Sequence, residues 1–150
     1  MDKPSVFVTR RWPEIAEKEL KKYFNVTLNH GDKALSNKEL KDAFYNHDAL
    51  APTVSDTIDE NIIKSGKSGK GKIISNYGVG FSHIDLEACQ KYKIKVTNTP
   101  NVLTDATADL TILLMLMVSR RSKEGEYQIN NNLWPGWSPT HLLGSELKNK

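Results

Sequence analysis

Short apolar runs alternate with amphipathic segments along the first hundred residues. The runs are rich in β-branched residues and predict buried strands, whereas apolar residues recur at helical spacing between them. The predicted strands cover residues 5–9, 25–28, 49–51, 72–76 and 94–97, and the predicted helices begin at Pro13, at the Ser36–Glu39 capping box, at Asp59 and at Asp85. This alternation predicts an α/β fold, a flavodoxin-like wound parallel sheet with helices on both faces.

The pattern changes after the first hundred residues. Residues 104–121 predict one long helix, which Thr104 or Asp105 is expected to cap. Its middle, Leu110–Val118, is apolar nearly all round, so we expect it to be buried on several sides. The rest of the chain is polar at first and then holds an aromatic, proline-rich loop at residues 133–139.

A glycine-punctuated turn, Asn76–Gly80, comes at the end of the fourth predicted strand. Successive backbone N–H groups in such a turn can surround an anion without any charged side chain. The carboxyl ends of parallel strands are also where ligands bind in wound sheets. The turn is therefore a candidate carboxylate site, although an ordinary strand-to-helix turn would also use glycine.

Three short segments carry a family resemblance: Asn76–Gly80, Asn98-Thr99-Pro100 and Leu103–Leu110. Together they resemble the D-isomer-specific 2-hydroxyacid dehydrogenases, most closely the glyoxylate/hydroxypyruvate reductase branch. The resemblance implies an NAD- or NADP-dependent oxidoreductase that reduces small 2-oxo acids, such as glyoxylate and hydroxypyruvate, to 2-hydroxy acids. It further implies a substrate (catalytic) domain at residues 1–100, followed at 101–150 by the first helix and dimerisation arm of an incomplete dinucleotide-binding domain.

The resemblance also implies roles for individual residues. The substrate carboxylate would lie against the backbone of Val79 and Gly80, and Thr104 would lie near the nicotinamide. The Thr104–Val118 helix would form a homodimer contact, across which Trp137 would reach the substrate. The implied substrate-binding residues are Asn76, Tyr77, Gly78, Val79, Gly80 and Trp137.

No residue of this chain is assigned as catalytic. In the resembled family the catalytic histidine, the substrate-orienting arginine and the glutamate that pairs with the histidine lie beyond position 150. Gly78-Val79-Gly80 also lacks the third glycine of a dinucleotide fingerprint. We therefore expect these 150 residues alone neither to bind NAD or NADP tightly nor to turn over.

Composition and charge limit the classes of ligand and partner that we expect for this chain. The net charge of +3 comes from basic residues mixed with acidic ones, which disfavours nucleic acid. Cys89 is the only cysteine, and the four histidines lack metal-ligand spacing, so we expect no disulfide and no metal site. His83 is close to the glycine turn and could be drawn to a bound anion, but we expect a surface role. We find no signal-peptide pattern or membrane-spanning run and predict a cytoplasmic protein.

The lysine- and glycine-rich segment Lys64–Lys72 invites comparison with a phosphate-binding loop. The spacing fails, because residue 61 is Asn where that motif needs glycine, and a strand follows instead of a helix. We therefore predict a solvated, flexible loop.

Two non-catalytic alternatives remain open. One is a flavodoxin-like module that binds a small carboxylate, which calorimetric titration with glyoxylate would detect. The other is a dimerising module without a ligand, whose interface is the Thr104–Val118 helix. Sedimentation analysis that finds only a monomer would count against this second alternative.

Overall fold

Five short parallel strands and four helices make up the first part of the chain in the computed structural model, which describes residues 3–148. The strands pair in the order β2-β1-β3-β4-β5, the order of flavodoxin-like wound sheets. The predicted α/β fold is therefore confirmed. In chain order the elements are β1 (Ser5–Val8), α1 (Glu14–Tyr23), β2 (Asn25–Leu28), α2 (Asn37–Asn46), β3 (Ala49–Ala51), α3 (Glu60–Ser68), β4 (Ile73–Ser75), α4 (Leu86–Tyr92) and β5 (Lys95–Thr97).

Side chains that alternate along the strands fill two apolar clusters. Leu50 packs with residues of α2, α3 and α4, whereas its neighbours Ala49 and Ala51 pack with Val6 and Val8 of β1. Successive residues of a strand point to opposite faces, so a single short strand supplies both clusters. Each fully buried leucine or isoleucine contributes about 1.5–3 kcal/mol, which makes these clusters the main source of stability.

The helix α3 corrects the prediction of a flexible loop at residues 64–72. It continues to Ser68, and Gly66 is buried at the point where this helix meets Phe44 of α2. Gly69 ends the helix, donating its backbone N–H to the carbonyls of Gly66 and Ser65. Glycine and serine are typical of loops, but in α3 these small residues allow two helices to approach closely. Composition alone does not distinguish a flexible loop from a close contact between helices.

Contacts within the chain define two compact units, Met1–Asn101 and Val102–Lys150. The second contains α5 (Thr104–Ser119) and α6 (Ser122–Asn130). The helix α5 stops short of the predicted Arg121, because that residue adopts a left-handed φ of 53° and starts a new helix that was not predicted. The predicted cap is also wrong: α5 begins after Leu103, and neither Thr104 nor Asp105 caps it with a side chain.

Within the second unit the apolar side chains of α5 remain exposed. All sixteen residues of the helix are described, and none of them is buried. The expected burial of Leu110–Val118 is therefore absent in the isolated chain, where Leu114 is 52% exposed and Val118 80% exposed. Between residues 3 and 148 no helix combines the length and the apolar character needed to cross a bilayer.

Candidate functional site

The glycine turn lies at the carboxyl end of β4, with a neighbouring strand on each side. The backbone N–H of Asn76 donates to the carbonyl of Thr97 at the end of β5 (2.9 Å). The N–H of Tyr77 donates to the carbonyl of Pro52, which directly follows β3 (2.9 Å). The sheet therefore fixes the start of the turn from both sides.

Side-chain and backbone donors hold the carbonyl oxygens of this turn. The side-chain amide of Asn76 donates to the carbonyls of Gly78 (3.1 Å) and Gly80 (2.8 Å). That of Asn98, after β5, donates to the carbonyl of Val79 (2.9 Å). The carbonyl of Gly78 also accepts from the backbone N–H of Thr99 (3.1 Å). All three carbonyls are therefore already hydrogen-bonded.

The N–H groups of the turn behave differently. Gly78 donates to the carbonyl of Asn76 (3.1 Å), whereas the N–H groups of Val79 and Gly80 have no acceptor among residues 3–148. Gly78 has a φ of +155°, which a side chain would strain, and a Cβ added at Gly80 would have no atom within 4 Å. Two adjacent N–H groups without a protein acceptor can donate to a carboxylate.

A buried polar network lies behind the turn. Asn76 is only 2% exposed, and its Oδ1 lies 3.0 Å from Nε2 of His83. Burial lowers the pKa of His83, and the negative charge of Asp56 partly opposes this effect. The predicted surface role of His83 is therefore wrong, because the partly buried ring contacts the side chain that holds the turn.

The side chain of Asp56 joins the ends of β1 and β3. Its Oδ2 accepts from Oγ1 of Thr9 (2.6 Å) and from the backbone N–H of Thr53 (2.9 Å). Its Oδ1 is buried and has no hydrogen-bond partner among the described residues. The same edge carries an aromatic pair, Trp12 and Tyr77, with ring centroids 5.0 Å apart.

The two arginines that follow β1 are already paired with carboxylates. Arg10 contacts Asp32 at 3.0 Å, and Arg11 makes two hydrogen bonds to Glu17, at 2.7 and 2.8 Å. The Arg11 hydrogen bonds, aided by the backbone N–H of Trp12, lower the pKa of Glu17 to about 2 despite the burial of its carboxylate. The candidate site of the first unit is therefore formed by backbone dipoles.

The glycine turn differs from the phosphate-binding turn of a dinucleotide site. Such a site places a pyrophosphate at a helix N-terminus that directly follows a glycine-rich strand end. Here five residues separate Gly80 from the start of α4 at Leu86, and the second unit, over the residues described, contains helices without a strand. The strand-to-helix arrangement that holds a pyrophosphate is therefore absent from residues 3–148.

Five of the predicted site residues lie in one turn, and the other two belong to the second unit. Asn76–Gly80 form one turn in the first unit, whereas Thr104 and Trp137 belong to the second unit. Trp137 is 84% exposed on its loop. The roles predicted for these two residues stay predictions. Sequence analysis gave no role to Asn98, although it follows β5 much as Asn76 follows β4.

Comparison with known proteins agrees with this architecture. The sequence profile of the D-isomer specific 2-hydroxyacid dehydrogenase catalytic domain matches residues 6–143. The glyoxylate reductase of Thermococcus litoralis is 40% identical over 99% of this chain, and the glycerate dehydrogenase of Hyphomicrobium methylovorum is 36% identical over all of it. A solved Polaromonas structure, described as an NAD-binding D-isomer specific 2-hydroxyacid dehydrogenase, superposes with a TM-score of 0.89 at 33% identity and 98% coverage of this chain.

A parallel sheet in the flavodoxin-like order, with a glycine turn at the carboxyl end of an interior strand, defines an α/β domain with a candidate ligand site. The profile match shows that the chain belongs to the D-isomer specific 2-hydroxyacid dehydrogenase family. The chain spans 45–46% of the length of the two relatives named above, and 46% of the Polaromonas chain.

Proposed function

We propose that this chain is the substrate-holding part of an NAD- or NADP-dependent enzyme that reduces small 2-oxo acids, such as glyoxylate and hydroxypyruvate. In this proposal the backbone N–H groups of Val79 and Gly80 bind the substrate carboxylate. The other groups of the reaction lie outside these residues, so the chain alone neither turns over nor binds the dinucleotide. Incubation with NADH or NADPH and glyoxylate should give no enzyme-like oxidation of the cofactor, and turnover would contradict this part.

A single observation carries the proposal. The turn holds its carbonyl oxygens in hydrogen bonds and leaves two adjacent N–H groups facing no protein acceptor among residues 3–148. An N–H group gains from an anionic acceptor about 1.5–3 kcal/mol. Two such bonds, reduced by the entropy cost of association, correspond to millimolar affinity or weaker. The names of the relatives supply the class of acid, and the turn supplies the place for its carboxylate.

Amide-resolved NMR tests this proposal at the level of single residues. Glycolate, added to the ¹⁵N-labelled chain up to tens of millimolar, should shift the amide resonances of Val79 and Gly80 in a saturable way. Its neutral isostere glycolamide has the same size without the carboxylate and serves as the control ligand. Equal shifts with both ligands, or shifts spread over the surface, would contradict a carboxylate site at this turn.

A variant sharpens the same experiment. The Gly80→Ala substitution adds a methyl group where the chain has no atom within 4 Å, so the fold should tolerate it. The methyl group would occupy the space that we assign to the ligand, and glycolate should then bind more weakly. The matched control is Gly31→Ala, where the nearest atom lies 3.8 Å from the added Cβ and no site is proposed. Unchanged glycolate binding by Gly80→Ala would count against the proposed location.

We further propose that α5 is the contact of a homodimer. Leu113, Leu114 and Met115 are each 51–53% exposed on successive positions of this helix. Exposed apolar residues in such a contiguous group are typical of an interface. A dimerising module without any ligand would share this feature, and the glycolate experiment separates the two functions.

Analytical ultracentrifugation tests the dimer contact. The wild-type chain should sediment as a concentration-dependent dimer, and Leu114→Lys should shift it to monomer. Lys123→Glu, a charge change on α6, is the control and should leave the association unchanged. A wild-type chain that remains monomeric at high concentration would refute this assignment.

A further inference from the structure

We infer that Asn76 is a positioning residue: its side-chain amide fixes the glycine turn so that the N–H groups of Val79 and Gly80 stay open to a carboxylate. The inference deepens the proposed function and rests on it for the identity of the ligand. The arrangement of hydrogen bonds around Asn76 carries it, and no contact between Asn76 and the substrate is needed.

Every polar group of Asn76 has a partner. Both hydrogens of Nδ2 are directed to carbonyls, those of Gly78 and Gly80, and Oδ1 faces Nε2 of His83. The backbone N–H donates to Thr97, and the backbone carbonyl accepts from Gly78. A buried amide with all its hydrogen bonds formed has a single favourable orientation and makes its surroundings rigid.

The planar peptide explains how holding a carbonyl directs an N–H group. In a trans peptide the C=O and the following N–H point in opposite directions. The hydrogen bond from Asn76 to the Gly78 carbonyl therefore turns the N–H of Val79 away from Asn76. In the same way, the hydrogen bond from Asn98 to the Val79 carbonyl turns the N–H of Gly80 away from Asn98. These two side-chain amides thus hold the carbonyls and leave the N–H groups directed elsewhere.

His83 fixes the orientation of the Asn76 amide. Because Nδ2 donates to two carbonyls that can only accept, Oδ1 must be the acceptor, and Nε2 of His83 must donate. Without that donor, Oδ1 would be buried and unpaired, and the amide would lose the preference for this orientation. His83 therefore acts on the turn through Asn76.

The Asn76→Ser variant tests the inference, because serine is shorter and cannot donate to both carbonyls. We expect the ¹⁵N order parameters of Val79 and Gly80 to fall from about 0.85, a value typical of rigid backbone, to below about 0.6. The affinity for glycolate should fall about tenfold. The resonances of β1 and β4 should stay in place, which separates loss of the turn from loss of the fold.

A matched control makes the same exchange far from the turn. Asn46 is exposed at the end of α2, and its Nδ2 also donates to a backbone carbonyl, that of Asp42 (2.8 Å). Asn46→Ser should therefore leave the order of the turn and the binding of glycolate unchanged. If Asn76→Ser does not fold, His83→Ala takes its place, since it removes only the donor to Oδ1.

The outcomes distinguish this inference from the proposed function. A folded Asn76→Ser or His83→Ala variant with wild-type order at Val79 and Gly80 would overturn the positioning role. If the wild-type chain does not bind glycolate, but the turn becomes disordered in Asn76→Ser, the carboxylate function is refuted and the structural role of Asn76 stands. Loss of order together with loss of binding would support both.

Discussion

The contact between α2 and α3 offers a sharp test of the packing, through the substitution Gly66→Ala. Gly66 lies on α3 against the ring of Phe44, which is fully buried. A Cβ added at Gly66 would lie 2.2, 2.4 and 2.7 Å from three carbons of that ring. Carbon atoms pack best at about 3.5–4.0 Å, so the ring or the helix would have to move by about 1 Å.

The structure sets the size of the expected effect. Overpacking of a closed core costs typically about 1–3 kcal/mol, and the upper part of that range applies because Phe44 is fully buried and the added Cβ would meet three of its ring carbons. Alanine is favoured over glycine inside a helix by about 1 kcal/mol, which offsets part of this cost. We therefore expect Gly66→Ala to lower the free energy of unfolding by about 2 kcal/mol.

Urea unfolding, followed through the amide resonances of the sheet, measures this change. With a slope of about 1–3 kcal/mol per molar urea, the midpoint should fall by about 1 M. The control Gly31→Ala adds a Cβ with its nearest neighbour at 3.8 Å and should move stability by less than about 0.5 kcal/mol. Gly66→Ala with wild-type or higher stability would refute close packing at α3 and restore the flexible-loop interpretation of residues 64–72.

Three further predictions concern charge, capping and thiol reactivity. Arg11 holds the pKa of Glu17 at about 2, below its ordinary 4.5, so the stability that this carboxylate contributes is present above pH 4.5 and is lost as pH falls towards 2. In a series of urea melts at different pH values, Glu17→Gln should therefore reduce the loss of stability between pH 4.5 and pH 2. An unchanged loss would argue against the ion pair. Ser36→Ala removes the acceptor of the α2 capping box and should lower the free energy of unfolding by about 1 kcal/mol in the same assay, whereas no loss would mean that the cap is dispensable. Burial, with a smaller contribution from Asp85, raises the pKa of the Cys89 thiol to about 11, so a thiol reagent at pH 8 should label it only in urea, and rapid labelling of the native chain would contradict its burial.

The sequence predicted the sheet well because local signals and tertiary packing agree there. The β-branched runs at residues 5–9 and 25–28 became β1 and β2, and the Ser36–Glu39 capping box is present at the start of α2. The fold class follows from the alternation of strands and helices, since a parallel pair needs a crossover between its strands. None of these elements depends on a distant contact to be recognised.

The errors lie where a distant contact decides the outcome. Gly66 and its neighbours are typical of a loop until Phe44, more than twenty positions earlier in the chain, is known to pack against that glycine. His83 looked like a surface residue because nothing in its neighbourhood shows that its ring meets Asn76. At the candidate site, the glycines and their place after β4 could be predicted. The side chains that hold the turn could not be predicted, because hydrogen bonds from side chains to backbone carbonyls produce no periodic pattern in the sequence.

The construction of the turn has a consequence for specificity. Backbone N–H groups recognise a carboxylate by its charge and shape and are the same whatever side chain the ligand carries. Under the proposed function, selection among 2-oxo acids would therefore come from side chains that face the rest of the ligand. In the first unit an aromatic pair lies beside the turn: Tyr77 belongs to the turn, is 47% exposed and packs against Trp12, whose Nε1 is buried without a partner among the described residues. Under the proposed function, the backbone site would bind the carboxylate, and the exposed part of Tyr77 beside it would be available to the rest of the acid.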